Sequence, residues 1–557
     1  MRRVCVRALG TLALSALALS VVEGQSADMR TRAEITNYED TSTSADVTRV
    51  IDGLVATSPL VHAESFGKSE EGRDLSLIVI SDPKVTTPAM ARKLGRPLVF
   101  VQANIHAGEV EGKEAMLMLA RRLVSGDLKP MTRQIVFLIA PNYNADGNEK
   151  VSPMNRTAQN GPVAGVGTRE NAKGLDLNRD YMKLDSVEAR ALVGLMNKWD
   201  PHVLVDLHTT NGSYHANHLT YSPILNPNAD ARLIDFTRDT MLAPIRAAML
   251  KSHNWRTYYY GNFAPEDGGG RESSRVDLAN PGNTTWRTFD HRPRFGNNYA
   301  GLRNRIAILS EAYSYLDFKG RVEVTEDFVE EIYKSVAANA KQIMALTAQA
   351  DRALTTPAGN PIELGVDIEI RALPEKVEIL VGDVTKVPNP RSGREMLAMS
   401  PMAVPVSMKD YGVFAATRSL AMPQGWVIPK NSAESTRMTA ALDRLRTHGV
   451  KIQEFGSDQQ LAVERFTIAE ITKAPRQFQG HQEARLKGIY AKAQLTVGPG
   501  SLYIPANQPL ARLAFYLLEP ETDDGLVTWN VIDEGLAVGQ TYPIYRVTSS
   551  NKIAVRK

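Results

Sequence analysis

Cysteine is almost missing from this chain: Cys5 is the only one in 557 residues. It lies in the first apolar stretch, so disulfides play no part in stabilising the rest, although an oxidising destination is compatible with such a composition. Dense runs of one charge are missing too. The 65 Lys and Arg residues nearly balance 62 Asp and Glu, giving a net charge of +3, and no electrostatic footprint for nucleic acid is left. Beyond residue 22 no long apolar run occurs, and a membrane span, which needs about 20 such residues, is not expected. No internal repeat is evident.

What is there begins with a targeting pattern. Arg2, Arg3 and Arg7 precede an Ala- and Leu-rich stretch at 9–22, and Val22-Glu23-Gly24 offers small residues for cleavage. Residues 1–24 read as a signal peptide, too short to span a bilayer, and the protein as exported, either to a periplasm or out of the cell. Cys5 lacks the residues that follow it at a mature lipoprotein start, so it is not read as a lipid anchor. Loss of this segment, with its three Arg and Glu23, moves the net charge closer to zero.

The remainder is 43% hydrophobic and 23% charged across the chain, ordinary for a globular protein with a sizeable core. Apolar runs at 97–103 (PLVFVQA), 134–140 (QIVFLIA), 203–207 (VLVDL) and 305–309 (RIAIL) predict buried strands. Helical spacing fills 111–123, 186–199 and 232–250, and 325–354 reads as one or two closing helices. This alternation predicts an α/β fold with a mixed, mostly parallel sheet covered by helices on both faces. Residues 253–304 form a long stretch rich in Gly, Asn, Arg and aromatics, and long loops are often functional. The expected division is a catalytic domain at 25–354, a Pro/Gly linker at 355–362, and a β-rich α+β accessory region at 363–557. In that region 376–381 and 510–518 read as strands. A helix is expected after Asn431, with Glu434 three residues on as its capping pair, Met438, Ala441, Leu442 and Leu445 on one face and Gly449 at its end.

Four short segments carry chemistry. His106 follows the first buried run, with Glu109 three residues on, so both side chains can face one point on a turn. Alone, His-x-x-Glu arises by chance in most long proteins. His208 follows a second apolar strand, and open parallel sheets bind ligands at the carboxyl ends of their strands. Two His and one Glu form a set that zinc uses when it keeps a fourth position open for water. His202, His215 and His218 read as structural or neighbouring residues. Asp176-Leu177-Asn178-Arg179 offers a carboxylate for the second nitrogen of a ligating His, and a planar guanidinium suited to a carboxylate. Glu311 ends another apolar strand, where an unpaired carboxylate is costly; beside an activated water it is suited to act as a general base.

Taken in order, His106-x-x-Glu109, Asn144-Ala145-Asp146-Gly147, Asp176-x-Asn178-Arg179, His208 and Glu311 resemble the zinc metallocarboxypeptidase family, the carboxypeptidase A-like enzymes. The resemblance covers roughly residues 45 to 350. It implies one Zn2+ per chain, held by His106, Glu109 and His208, with Asp176 supporting the first His. It implies Asn178 and Arg179 as the grip on a substrate's terminal carboxylate, Glu311 as catalytic base, and Arg156 as the group that polarises the scissile carbonyl, with Arg169 nearby. A tyrosine from a mobile loop often assists, and Tyr299 competes with Tyr258, Tyr259 and Tyr260. The residues after Glu311 differ from those of the pancreatic enzymes, so side-chain preference does not carry over.

The expected activity is therefore zinc-dependent hydrolysis of peptide bonds with release of C-terminal residues. One alternative is an amidohydrolase acting on peptidoglycan stem peptides or N-acyl amino acids. Another is an inactive binding protein on the same scaffold, against which retention of all three ligands and Glu311 argues. The expected partner is a peptide or peptidoglycan-peptide substrate.

Overall fold

A computed structural model describes residues 28–210, 212–266, 272–355, 362–548 and 553–556. The signal peptide expected at 1–24 lies outside the described residues, as do residues 356–361 of the expected linker. Among the described residues ten strands precede that linker: β1 Val61–Lys68, β2 Asp74–Ile80, β3 Leu98–Ala103, β4 Val136–Ala140, β5 Val203–Thr210, β6 Leu219–Ser222, β7 Thr257–Tyr259, β8 Asn262–Pro265, β9 Thr284–Arg287 and β10 Ile306–Tyr313. Eight of them build one sheet in the order β1-β2-β4-β3-β5-β10-β6-β7.

The central strands β4, β3, β5 and β10 run parallel. Antiparallel pairs enter at the margins, between β1 and β2, β2 and β4, and β10 and β6. The sheet is therefore mixed and mostly parallel. Its central strands are β-branched and apolar because both faces are covered, and the two-residue period sorts their side chains. Leu98 and Phe100 of β3 enter one hydrophobic cluster, while Val99, Val101 and Ala103 enter the other. Phe100 is fully buried, so Phe100→Ala is expected to cost about 3–5 kcal/mol.

One face is covered by helices Ser44–Thr57, Glu111–Ser125, Ala243–His253 and Phe318–Ala338. The other face is covered by Val187–Trp199 and Gly296–Leu302, and beyond them by Thr436–Thr447 and Ala511–Leu518. Leu192, Leu195, Met196 and Trp199 share one cluster with Met438, Leu442, Leu445, Phe515 and Leu517. The region after residue 362 is β-rich, as expected. It holds a six-stranded sheet whose longest members are the hairpin strands Gln459–Lys473 and Ala484–Val497. Its helices nevertheless close the second face of the N-terminal sheet.

Several elements differ from expectation. Residues 510–518 are not a strand, since Ala511–Leu518 is a helix with all eight residues buried. A short, uniformly apolar run carries no period to separate a buried strand from a buried helix. The helix expected after Asn431 runs over Thr436–Thr447 with Ser435 as N-cap, so Asn431 and Glu434 form no capping pair for it; they belong to a separate turn at Lys430–Ala433, with Glu434 as its C-cap. Its apolar face and the positive φ of Gly449 are as expected. The strand expected at 305–309 extends through Tyr313, and Glu311 lies within β10, two residues before its end. His208 likewise lies within β5. The closing helices are two, Phe318–Ala338 and Ala340–Thr355.

Candidate active site

After Ala103 the chain leaves β3 through Asn104, whose φ of 63° turns it sharply. The Asn104 amide nitrogen donates to Asn142 Oδ1 at 2.7 Å and Asn148 Oδ1 at 3.0 Å, which fixes the turn. Glu109 N–H then donates to the His106 carbonyl at 2.8 Å, and this tight turn brings the two side chains together. Gly108 is required here: a Cβ would stand 2.6 Å from Arg156 Nε.

His106 Nδ1 lies 3.0 Å from Glu109 Oε1, His208 Nδ1 lies 2.9 Å from Glu109 Oε2, and the two Nδ1 atoms are 3.3 Å apart. All three side chains are buried. Two imidazole nitrogens and a carboxylate thus converge on one point, with ligand atoms within 4.8 Å of one another. The far nitrogens are held as well. His106 Nε2 meets Asp176 Oδ1 at 3.0 Å, and His208 Nε2 meets Asp206 Oδ2 at 3.1 Å. Carboxylates behind both rings favour a proton on Nε2, so that each ring, once neutral, presents its Nδ1 lone pair to a metal, the arrangement that suits a zinc-binding histidine. The donor set therefore fits zinc.

The charges reinforce one another. Burial works against the Glu109 carboxylate, but His106 and Arg156 outweigh it and hold its pKa well below the ordinary value. Burial also disfavours a charged His208, yet Asp206 and Glu109 raise its pKa well above the ordinary value. Asp176 is lowered in the same way, against burial, by His106 and Arg169.

Glu311 stands beside His208 across the β5–β10 ladder. It has no hydrogen-bond or ion-pair partner among the described residues. Burial pushes its pKa up to about 8, with the neighbouring Glu109 and Asp206 adding to the shift against the opposing pull of His208. A carboxylate that takes and releases protons near neutrality suits a general base.

These groups open onto a cleft of about 500 Å³, into which Arg156, Arg169, Asn178, Arg179, Tyr260, Phe295 and Leu309 also face. The Asp176 carboxylate accepts from Asn178 N–H at 2.9 Å and so caps the single 3-10 turn Leu177–Arg179. That turn projects Arg179 over the Phe295 ring, 4.1 Å from its centroid. Its Nη1 donates to the Asn178 carbonyl, and the rest of the guanidinium is left for the cleft. Asn178 Nδ2 lies 3.3 Å from His208 Nε2. When that nitrogen carries its proton toward Asp206, it offers the amide no acceptor, and the Asn178 N–H donors are free to face the cleft.

Of the two arginines, Arg156 donates through Nη2 to Glu109 Oε1 at 2.7 Å, and Arg169 grips Asp176 Oδ2 at 2.8 Å. Of the competing tyrosines only Tyr260 lines the cleft. Tyr299 is buried on His448 at 2.8 Å, and Tyr258 and Tyr259 line a separate cavity. His215 and His218 stand away from the cleft. His215 packs on Tyr313, and His218 accepts from the Arg256 backbone. His202 accepts from Leu98 N–H just before β5.

Asp206 was not singled out by sequence, although its spacing of two from His208 sets both on one face of β5. Phe295 and Leu309 carry no motif of their own; Leu309 is two residues before Glu311 on the same strand face.

Residues 47–214 match the family model described as zinc carboxypeptidase. Carboxypeptidase 2 of Trichophyton rubrum is 23% identical over 516 residues, which is 88% of this chain and 84% of that protein. Carboxypeptidase Z of Mus musculus is 34% identical over 149 residues, 26% of this chain and 21% of that protein. Among solved structures, a metallo-carboxypeptidase from Burkholderia cenocepacia aligns with a TM-score of 0.36 at 18% identity, covering 52% of this chain and 68% of that one. Over residues 47–214 the chain is thus similar to the zinc carboxypeptidase family, and the order of its motifs and its converging donor set agree with that likeness and with a zinc peptidase.

Proposed function

We propose that this protein releases C-terminal residues from peptides, with His106, Glu109 and His208 holding one zinc ion and Glu311 serving as general base. The observation that carries the reading is a single cleft with two carboxylate-backed imidazoles and Glu109 on one wall, Glu311 beside them, and the Asn178–Arg179 turn facing them. Zinc held there would supply Lewis acidity, lowering the pKa of water from 15.7 toward about 7 and polarising a carbonyl.

The chain's own residues do the rest. Arg179, flattened against Phe295, binds the substrate's terminal carboxylate through its planar fork, and Asn178 adds a donor. Binding there fixes the last peptide bond against the Glu311 carboxylate, so that attack becomes effectively intramolecular. Glu311 takes a proton from the attacking water and delivers it to the leaving amine. The remaining Arg156 N–H donors stabilise the oxyanion as it develops. Tyr260, at the cleft wall with a pKa raised by burial, keeps its proton and can donate to the substrate backbone. Asp176 and Asp206 hold the two imidazoles in the required tautomer.

Glu311→Gln tests this directly. Turnover of peptides with a free C-terminus should fall by about 10²–10⁴-fold while bound zinc, measured by elemental analysis, stays at the parent level. Parent-like turnover in that variant would falsify the assignment of the base. Mass analysis of the products should find single C-terminal amino acids, whereas muropeptide cleavage without them would favour the peptidoglycan reading. Export by residues 1–24 belongs to the same proposal, and N-terminal sequencing of protein from culture medium or periplasm tests it. Among the described residues no helix is long and apolar enough to cross a membrane.

A further inference from the structure

The hairpin Gln459–Lys473 and Ala484–Val497 ends in a tip where the Phe478 and His481 backbones exchange hydrogen bonds of 2.8 and 3.0 Å. The two residues between them, Gln479 and Gly480, have φ of 52° and 81°. Two successive positive φ values make this a two-residue turn of the type that favours Asn, Asp or Gly at its first position. A glutamine there is strained, because its longer side chain cannot relieve the left-handed backbone as Asn does. Local turn chemistry therefore does not account for Gln479, and a strained side chain invites the question of what it reaches.

It reaches the active site. Gln479 Oε1 accepts from the backbone N–H of Asp176 at 2.8 Å, across 303 residues of chain. Asp176 is the residue that backs His106 and caps the turn bearing Asn178 and Arg179. The same tip braces the other side of that turn. Glu483 accepts from Arg294 Nη1 at 2.6 Å, and Arg294 lies over Trp529 at 4.4 Å and donates to Asp524. The next residue, Phe295, is the ring beneath Arg179. His481 Nε2 meets Asp185 at 2.7 Å, just past the turn.

We propose that the tip of this C-terminal hairpin is a working part of the peptidase site, and that Gln479 is a positioning residue that holds the Asp176–Arg179 turn in register with the substrate carboxylate. This rests on the carboxylate-binding role given above to Arg179. Gln479 does not line the cleft, so it acts through the turn and touches neither metal ligand nor peptide.

The test uses the full chain loaded with zinc. Gln479→Met keeps the reach of the side chain and removes the acceptor. KM for a peptide with a free C-terminus, and Ki for the released amino acid, should rise together by about fivefold, the worth of one neutral hydrogen bond. kcat, zinc affinity by chelator competition, and Tm should stay near the parent values. Gln479→Glu, which keeps an oxygen at the same reach, should restore KM to within about twofold. Unchanged KM in a folded Gln479→Met overturns the inference. So does an equal rise in both variants, or a loss of zinc affinity in place of the KM shift. Arg179→Ala is run alongside. If it leaves KM unchanged, the carboxylate-binding role itself fails, and that outcome is distinct from a silent Gln479.

Discussion

His106, Glu109 and His208 stand on or just beyond the central strands β3 and β5, with buried neighbours on every side. Asn178 and Arg179 stand instead on one 3-10 turn between loops, shaped by contacts from elsewhere: Arg169 on Asp176, Phe295 under Arg179, and Gln479 on the Asp176 backbone. The donor wall inherits its rigidity from a sheet packed on both faces. The carboxylate wall has no such support of its own and takes it from a segment about 300 residues away. Adjacent walls of one cleft can thus depend on different parts of the chain, and perturbations should separate them.

The largest separation should come from deleting everything after residue 362. Such a truncation exposes Leu192, Leu195, Met196 and Trp199, now buried against Leu442, Leu445 and Phe515. At about 1.5–3 kcal/mol for each side chain, these four alone match the entire stability of a typical domain. The expected product is insoluble or molten protein, read by solubility and near-UV dichroism. A folded, zinc-binding truncation would show the donor wall to be self-sufficient.

Asp206→Asn comes next and should act on the donor wall alone. Removing the carboxylate behind His208 is expected to weaken zinc binding by about 10- to 100-fold in chelator competition, with KM nearly unchanged once zinc is saturating. Arg179→Lys should do the reverse. A lysine keeps the charge but loses the planar fork, so KM should rise about tenfold at constant zinc affinity.

A smaller and graded effect is expected from pH. In the metal-free protein Asp206 and Glu109 hold a proton on His208 to well above its usual pKa of 6.5, and zinc must displace it. Zinc affinity should therefore weaken as pH falls through that raised pKa, with protons released on binding, as read by calorimetry in buffers of different ionisation enthalpy. The sign for the metal-free fold is opposite. The stabilisation from charged His208 is complete below pH 6.5 and is lost as pH rises through the raised pKa. An affinity that does not change with pH would mean that His208 is already neutral.

The donor wall was legible in sequence because strand ends are legible. Apolar β-branched runs announce β3, β5 and β10, and the polar residues His208 and Glu311 stand out against them. Asp206 was hidden by the same run that revealed His208, since an aspartate inside an apolar strand shows its purpose only when the ring it backs is in view. The carboxylate wall was legible as a motif and illegible as a structure. Nothing near Asp176 announces a partner at Gln479, and nothing near Gln479 but its own strained φ announces a target. The helix Ala511–Leu518 was missed for a related reason. A segment buried on all sides has no polar face to betray its period, and its partners lie on the opposite side of the fold.

The reach from Gln479 back to Asp176 also sets an order in time. A chain being synthesised makes the three donor residues by position 208 and the proposed base by position 311, but the side chain that accepts from the Asp176 backbone emerges only at position 479. Between positions 311 and 479 the growing chain carries the proposed ligands and base without the proposed brace. Competence arrives late, as a property of the whole chain.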